Sequence, residues 1–342
     1  MKRLLGLLML LAPLSEGFAG NPVKKIEKKA QEIVDSSRFL SGAGRTWKVV
    51  TASGIKDPQY LRSPDWTWKI KTTSGISYAD LFDRGSFKDG RFRAALWSEP
   101  RIRQSFSLGW KFLSASYSFN PFRLRGKDKD NLWSFSWFCN RFGVELSARQ
   151  AKTYHGRVLM EPDAFSVNAG KVASRLINLD GYYVLNCRKY SLPTALSQSF
   201  IQKKSAGSLI FSFSGQMADI SCGSIEGLGN RPFRIESSVL GCGAGYGYNW
   251  VPWPRIVVSG AAIGNVMLLC RSRITVEEEP SKMKRRFPDY SLSAYFALAY
   301  QSGMWHYGIR GIAHDCCVGD NRHQVYDNVS LDACFFIGVR IK

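Results

Sequence analysis

Period-two alternation sustained over membrane-spanning lengths is the feature that most limits what this chain can become. From Tyr290 to Gln301, one face carries Tyr290, Leu292, Ala294, Phe296, Leu298 and Tyr300. The other carries Ser291, Ser293, Tyr295, Ala297, Ala299 and Gln301. Two tyrosines bracket the apolar face. At about 3.3 Å per residue and a tilt near 40°, such a strand spans roughly 25 Å, the height of the lipid-facing band of an outer-membrane barrel. The last strand repeats the pattern, with Val329, Leu331, Ala333, Phe335, Ile337, Val339 and Ile341 alternating with Ser330, Asp332, Cys334, Phe336, Gly338 and Arg340. Serine or glycine alternates with aromatics again over 105–110, 113–119, 133–137, 208–214 and 240–248.

A soluble periplasmic β-sandwich also alternates, but it hides its large aromatics in one core. Here nearly every strand brings its own. The expected strands are 91–98, 102–110, 112–119, 132–139, 142–151, 180–188, 207–217, 236–250, 253–271, 288–301, 303–314 and 325–341. Joints on one side, at 109–111, 140–141, 251–252 and 302, are tight, with 190–206 the exception. Those on the other side are mostly long, with 98–101 the exception. Outer-membrane barrels show this asymmetry between periplasmic turns and external loops. The expectation is therefore an all-β, antiparallel transmembrane barrel of about twelve strands, within a range of roughly ten to fourteen. A hairpin within 65–82, which holds Trp66, Trp68, Ile70, Ile76 and Tyr78, would bring the number to the upper bound.

The amino terminus sets the compartment. Lys2 and Arg3, the apolar run Leu4–Leu14 and the small-x-small site Gly17-Phe18-Ala19 read as a secretory signal peptide over residues 1–19. A formal charge of +20 would otherwise suggest nucleic acid. Export removes that partner and leaves anionic lipid, lipopolysaccharide and the barrel-assembly machinery. Residues 20–64 form a periplasmic arm. Its amphipathic basic helix begins at Asn21-Pro22, keeps Val23, Ile26, Ala30, Ile33 and Val34 on one face, and carries Lys24, Lys25, Lys28 and Lys29. The barrel domain covers 65–342. Eight cysteines in an oxidising compartment permit disulfides, but several fall inside strand-like runs where Cys serves as a small hydrophobe.

The run from Gly181 to Gly215, GYYVLNCRKYSLPTALSQSFIQKKSAGSLIFSFSG, resembles a segment of a Bacteroidota family catalogued only as a domain of unknown function. Leu113–Pro121, LSASYSFNP, and Phe138–Leu146, FCNRFGVEL, are similar to it as well. The likeness implies an exported outer-membrane barrel from about residue 60 onward. It implies no activity and no catalytic residues.

Alternation assigns Arg91, Arg93, Arg103, Arg149, Arg188, Arg310 and Arg340 to the lumen, with Glu145 and Asp332. That excess of cations points to an anion-preferring channel or transporter, or to a filled structural barrel. The segment 189–208 reads as a plug, a docking element or a capping loop. Pro193 opens a short helix there, and Gln202, Lys203 and Lys204 follow it. His306 and His314 share one lumen face and, with nearby serines, suggest a lipid-hydrolysing barrel as the alternative. His314, Cys316, Cys317 and His323 are of metal-ligand type, but adjacent cysteines chelate poorly, so no metal or other cofactor is expected. The loop with Glu277–Glu279, Lys282 and Lys284–Arg286 reads as external, suited to lipopolysaccharide phosphates.

Overall fold

The computed structural model describes residues 56–62, 66–87, 90–122, 130–161, 163–223, 232–276, 279–282, 289–320 and 324–341. The expected signal peptide, the basic helix, His323 and the side chains of the 277–286 loop lie outside the described residues.

Among the described residues, eighteen strands and one short helix follow in order. They are β1 (Leu61–Arg62), β2 (Trp68–Phe87), β3 (Gly90–Ser98), β4 (Arg101–Trp110), β5 (Leu113–Phe119), β6 (Asp130–Phe138), β7 (Phe142–Ala151), β8 (Tyr154–Met160), β9 (Asp163–Val167) and β10 (Val172–Val184). Then come α1 (Pro193–Leu196), β11 (Ile201–Gln202), β12 (Ala206–Cys222), β13 (Phe233–Trp253), β14 (Ile256–Val276), β15 (Glu279–Lys282), β16 (Tyr290–Gln301), β17 (Trp305–Asp320) and β18 (Gln324–Ile341). Twelve of them close a ring in the order β2-β4-β5-β6-β7-β10-β12-β13-β14-β16-β17-β18, and β18 returns to β2. Every pairing is antiparallel; at closure Ile341 faces Trp68 and Gln324 faces Gly85. The chain is a closed twelve-strand antiparallel β-barrel.

The number twelve is as expected, but two strands differ. No turn lies at 98–101. β3 and β4 run the same way along β2, Trp97 opposite Asp80 and Arg101 opposite Ser77, so four steps on one side match three on the other. Glu99 and Pro100 form a bulge inside one long strand. The barrel strand that makes up the number is β2, in the region that sequence reading left as an optional hairpin. The strands β12, β13, β14 and β17 also run past the lipid-facing band, so the expected external joint at 315–325 is mostly strand.

The bulge explains a second correction. Below it, odd residues of β4 point inward, among them Arg103, Ser105 and Ser107. Above it, even residues of β3 do, and Phe92, Ala94 and Leu96 are buried. The break at Lys152-Thr153 does the same between β7 and β8, where inward positions pass from Arg149 and Ala151 to Tyr154 and Val158. An extra residue turns every later side chain to the opposite face. Arg91 and Arg93 therefore stand on the outside, Arg91 79% exposed beside Glu161 and Arg93 over the Phe82 ring at 5.1 Å. Arg188 is exposed in a turn below the barrel.

Two different interiors result. Around the lower part, polar groups face in and apolar groups face out. Except for β5 and β7, every strand of the ring exposes at least one large apolar side chain. Trp68, Trp110, Trp250, Trp253 and Trp305 form a girdle at the end with the tight turns, here called the floor. Those turns need few residues; Lys111 and Arg255 take left-handed φ of 51° and 78° to make them. At the opposite end, the rim, the rule inverts. Leu81, Phe92, Leu96, Val158, Ile220, Phe233, Ile235, Ile274 and Tyr326 pack together inside, nearly or wholly inaccessible to solvent. The barrel is built like a membrane protein below and like a soluble one above.

Candidate functional site

After β10, the chain does not make a simple capping loop. Residues 185–205 fold up into the floor of the barrel. Pro193 supplies the first turn of α1, where its missing N–H costs nothing. Ser191, Leu192, Thr194, Ala195 and Gln198 are buried there. Tyr190 is anchored beside Gly247 of β13, where a Cβ would overlap its hydroxyl. Burial pushes the Tyr190 phenol well above its ordinary pKa.

Long polar side chains from the wall hold this segment. Lys69 Nζ donates to Ser197 O at 2.6 Å and to Ser199 Oγ at 3.1 Å. Lys71 Nζ donates to Gln198 Oε1 at 3.1 Å. Arg310 donates to Leu196 O at 2.8 Å, and Arg340 to Gln198 O and Ser302 O at 2.7 Å each. Asn249 donates to Ser191 O and Gln202 Oε1. Asn140 donates to Cys187 O.

Of the residues foreseen for this segment, Gln202 bridges backbone within it, donating to Lys189 O at 2.6 Å and Lys204 O at 2.9 Å. Lys203 and Lys204 point away from the lumen. They donate to Pro58 O at 2.8 Å and Gln59 Oε1 at 3.1 Å. β1 pairs with β11, so residues 56–62 form a second layer beneath the floor.

Between this floor and the rim core lies a polar chamber of about 250 Å³. One wall, from β4 to β6, is lined with serine. Ser105–Ser118, Ser114–Ser136 and Ser116–Ser134 are hydroxyl pairs at 2.7 Å, each directly across neighbouring strands. Small hydroxyl side chains both satisfy one another and leave the space open.

The remaining chamber charges form two groups. In the upper one, Asp130 takes two bonds from Arg149, at 2.9 and 2.7 Å, and one from Arg103 at 3.5 Å. Arg103 also reaches Asp332 at 3.0 Å. These charges are matched. In the second, Glu145 and Asp180 stand directly opposite each other on β7 and β10. Ser214 donates to Asp180 at 2.6 Å, whereas among the described residues none donates a hydrogen bond to the Glu145 carboxylate.

Four of the seven predicted arginines, Arg103, Arg149, Arg310 and Arg340, thus meet in the lumen. Lys69, Lys71, Asp130 and Asp180 were not foreseen. The two lysines sit in the strand that alternation left undecided. Both lie between outward Trp68, Ile70 and Thr72, a signal that was present in the sequence.

The other candidates separate. Ser293 Oγ lies 2.9 Å from His314 Nδ1. His306 lies eight residues along the same strand, fully buried at the floor with both ring nitrogens unpartnered. The two histidines do not form one site. His314 and Cys316 point inward while Asp315 and Cys317 point outward. Among the described residues no His, Cys, Asp and Glu group could hold a metal ion. All eight cysteines are free thiols.

Comparison with known proteins gives a family and several distant shapes. The family described as a domain of unknown function, DUF4421, matches residues 56–340. No curated protein matches the sequence. Among solved structures, the outer-membrane protease OmpT of Escherichia coli is 8% identical, with 82% of this chain and 98% of that chain covered and a TM-score of 0.43. The toluene transporter TodX of Pseudomonas putida is 9% identical, with 85% and 93% covered and a TM-score of 0.32. OmpT of Vibrio cholerae is 7% identical, with 81% and 99% covered and a TM-score of 0.31.

Proposed function

We propose, from the premise that this chain belongs to the DUF4421 family, that it is an outer-membrane barrel whose polar chamber serves the periplasmic side. It is not a standing open channel. The observation that carries this reading is the unequal closure of the two ends. The rim is shut by an apolar core, and opening it would expose large side chains at roughly 25 cal/mol per Å². The floor is shut by hydrogen bonds to one folded segment, and water can replace those at a net cost of only about 1 kcal/mol each. The tryptophan girdle and the tight turns support assigning the floor to the periplasm. The surrounding partners are outer-membrane lipid and, at the rim, lipopolysaccharide, with the barrel-assembly machinery acting at insertion. A Bacteroidota origin fits the sequence resemblance.

The test is conductance of the refolded full-length protein in planar bilayers. A correctly folded barrel is expected to be silent at moderate voltage. Sustained discrete steps from the unmodified protein would overturn a closed lumen, and recovery of the protein in the soluble periplasmic fraction would overturn the membrane location.

A further inference from the structure

Among the described residues, the chamber's arginines away from the floor are paired with carboxylates, and the basic groups at the floor are not. Arg103 and Arg149 are matched by Asp130 and Asp332. Lys69, Lys71, Arg310 and Arg340 are not. Every acceptor they reach is neutral: the carbonyls of Leu196, Ser197, Gln198 and Ser302, the Gln198 amide oxygen and the Ser199 hydroxyl. Among the described residues, none of the four forms an ion pair. One chamber carboxylate, Glu145, acts on Lys71 and Arg310 through space, without contact. Lys69 is 2% exposed, Arg340 4% and Lys71 8%. His306 is buried in the same layer, beside Lys69, Lys71 and Arg340, with neither ring nitrogen bonded.

Burying ions costs several kcal/mol each unless opposite charge compensates. Four basic groups gathered with no carboxylate in contact also repel one another. Neutral carbonyls solvate such a cluster without cancelling its charge. Two guanidinium forks and two lysine side chains, which an anion would hold protonated, make the donor set that oxyanions select.

We propose that this layer is a binding site for a phosphate-class oxyanion, and that residues 196–199 are its resident neutral stand-in. An oxyanion entering from the floor replaces the carbonyls one for one, cancels the unmatched charge and frees the segment. Binding and opening of the floor are then one equilibrium. This rests on the reading that the floor, not the rim, opens.

Hydrogen exchange measured by mass spectrometry on the full-length barrel in detergent tests it. The probe is inorganic pyrophosphate, with sodium chloride at matched ionic strength as control. At about ten times its Kd, pyrophosphate should raise the open population, and so the exchange of amides in 191–202, about elevenfold. The strand amides should not change. A parallel arm with short-chain phosphatidic acid in the micelle separates a lipid headgroup from a free phosphate as the source. The paired variant Lys71→Gln and Arg310→Gln should lose the response. Should that variant not fold, calorimetric titration of the unmodified barrel with pyrophosphate takes its place, and absence of binding heat counts against the site.

Floor amides that exchange faster than the strands but ignore pyrophosphate, or that respond equally to chloride, overturn the oxyanion site while the mobile floor stands. Floor amides as slow as the strands in all conditions overturn both.

Discussion

At the scale of single residues, Asp130 has the most to hold. It is 5% exposed and accepts from two guanidinium groups. Replacing it by Asn keeps the shape but leaves Arg149 without opposite charge and Arg103 with Asp332 alone. Asp130→Asn should therefore destabilise the barrel by about 3–5 kcal/mol, measured by urea unfolding in detergent. Replacing Arg149 by Met in the same chain should recover part of the loss, because one buried charge disappears with its partner. A loss under 1 kcal/mol in the single variant would show the network to be more hydrated than its geometry indicates. Asp130 also shows why part of the site was hidden in the sequence. It stands first in its strand, after a stretch rich in Lys and Asp, and alone it looks like a loop residue. Only the register that sets it across from Ala151, beside Arg149, makes it a lumen group.

At the scale of elements, period two was legible wherever one strand stayed in one phase. β16 and β18 face as their alternation says, from Leu292 to Leu298 and from Leu331 to Ile341. Alternation failed where a strand changes phase without ending. Pro100 reads as a turn, and a turn there divides one strand into two. In the fold, the missing N–H of Pro100 and the extra residue are absorbed by a bulge. The consequence can be measured. Deleting Glu99 removes the extra residue and sends Phe92, Ala94 and Leu96 outward or Arg103, Ser105 and Ser107 into lipid. The deletion should abolish the heat-modifiable folded band on gels, while Glu99→Ala should leave it unchanged. A folded deletion would mean that the bulge does not set the phase. The floor was less legible for another reason. Nothing local in 185–205 states that its carbonyls will meet lysines more than a hundred residues away.

At the scale of the molecule, the two interiors divide the chain's polarity. The 45% hydrophobic content is spent partly on an outer belt and partly on a core inside the rim. The belt is open to a direct test at Phe296, midway between Tyr290 and Tyr300 and 48% exposed. Phe296→Lys should cost about 2–4 kcal/mol in lipid, the penalty for a cation near the bilayer midplane. It should cost far less in detergent that lets the side chain reach water. Equal, small effects in both would remove Phe296 from the bilayer centre. The basic balance of +20 also resolves at this scale. Part of it is matched inside the chamber, part is held unmatched at the floor, and Arg91, Arg93 and Arg188 are outside.

The joint between β18 and β2 adds a dimension of time. Those strands pair from Gln324–Gly85 to Ile341–Trp68, so the first barrel strand waits for the last. Until β18 exists, β2 has a bare edge along its whole length, and about 240 residues separate the two halves of the seam. Closing so long a loop is entropically costly before any contact rewards it. The floor cations share this schedule. Lys69 and Lys71 precede the segment they hold, whereas Arg310 and Arg340 are made long after it. The ring is thus the last event in the life of a nascent chain, and the floor is fully fastened only when it closes.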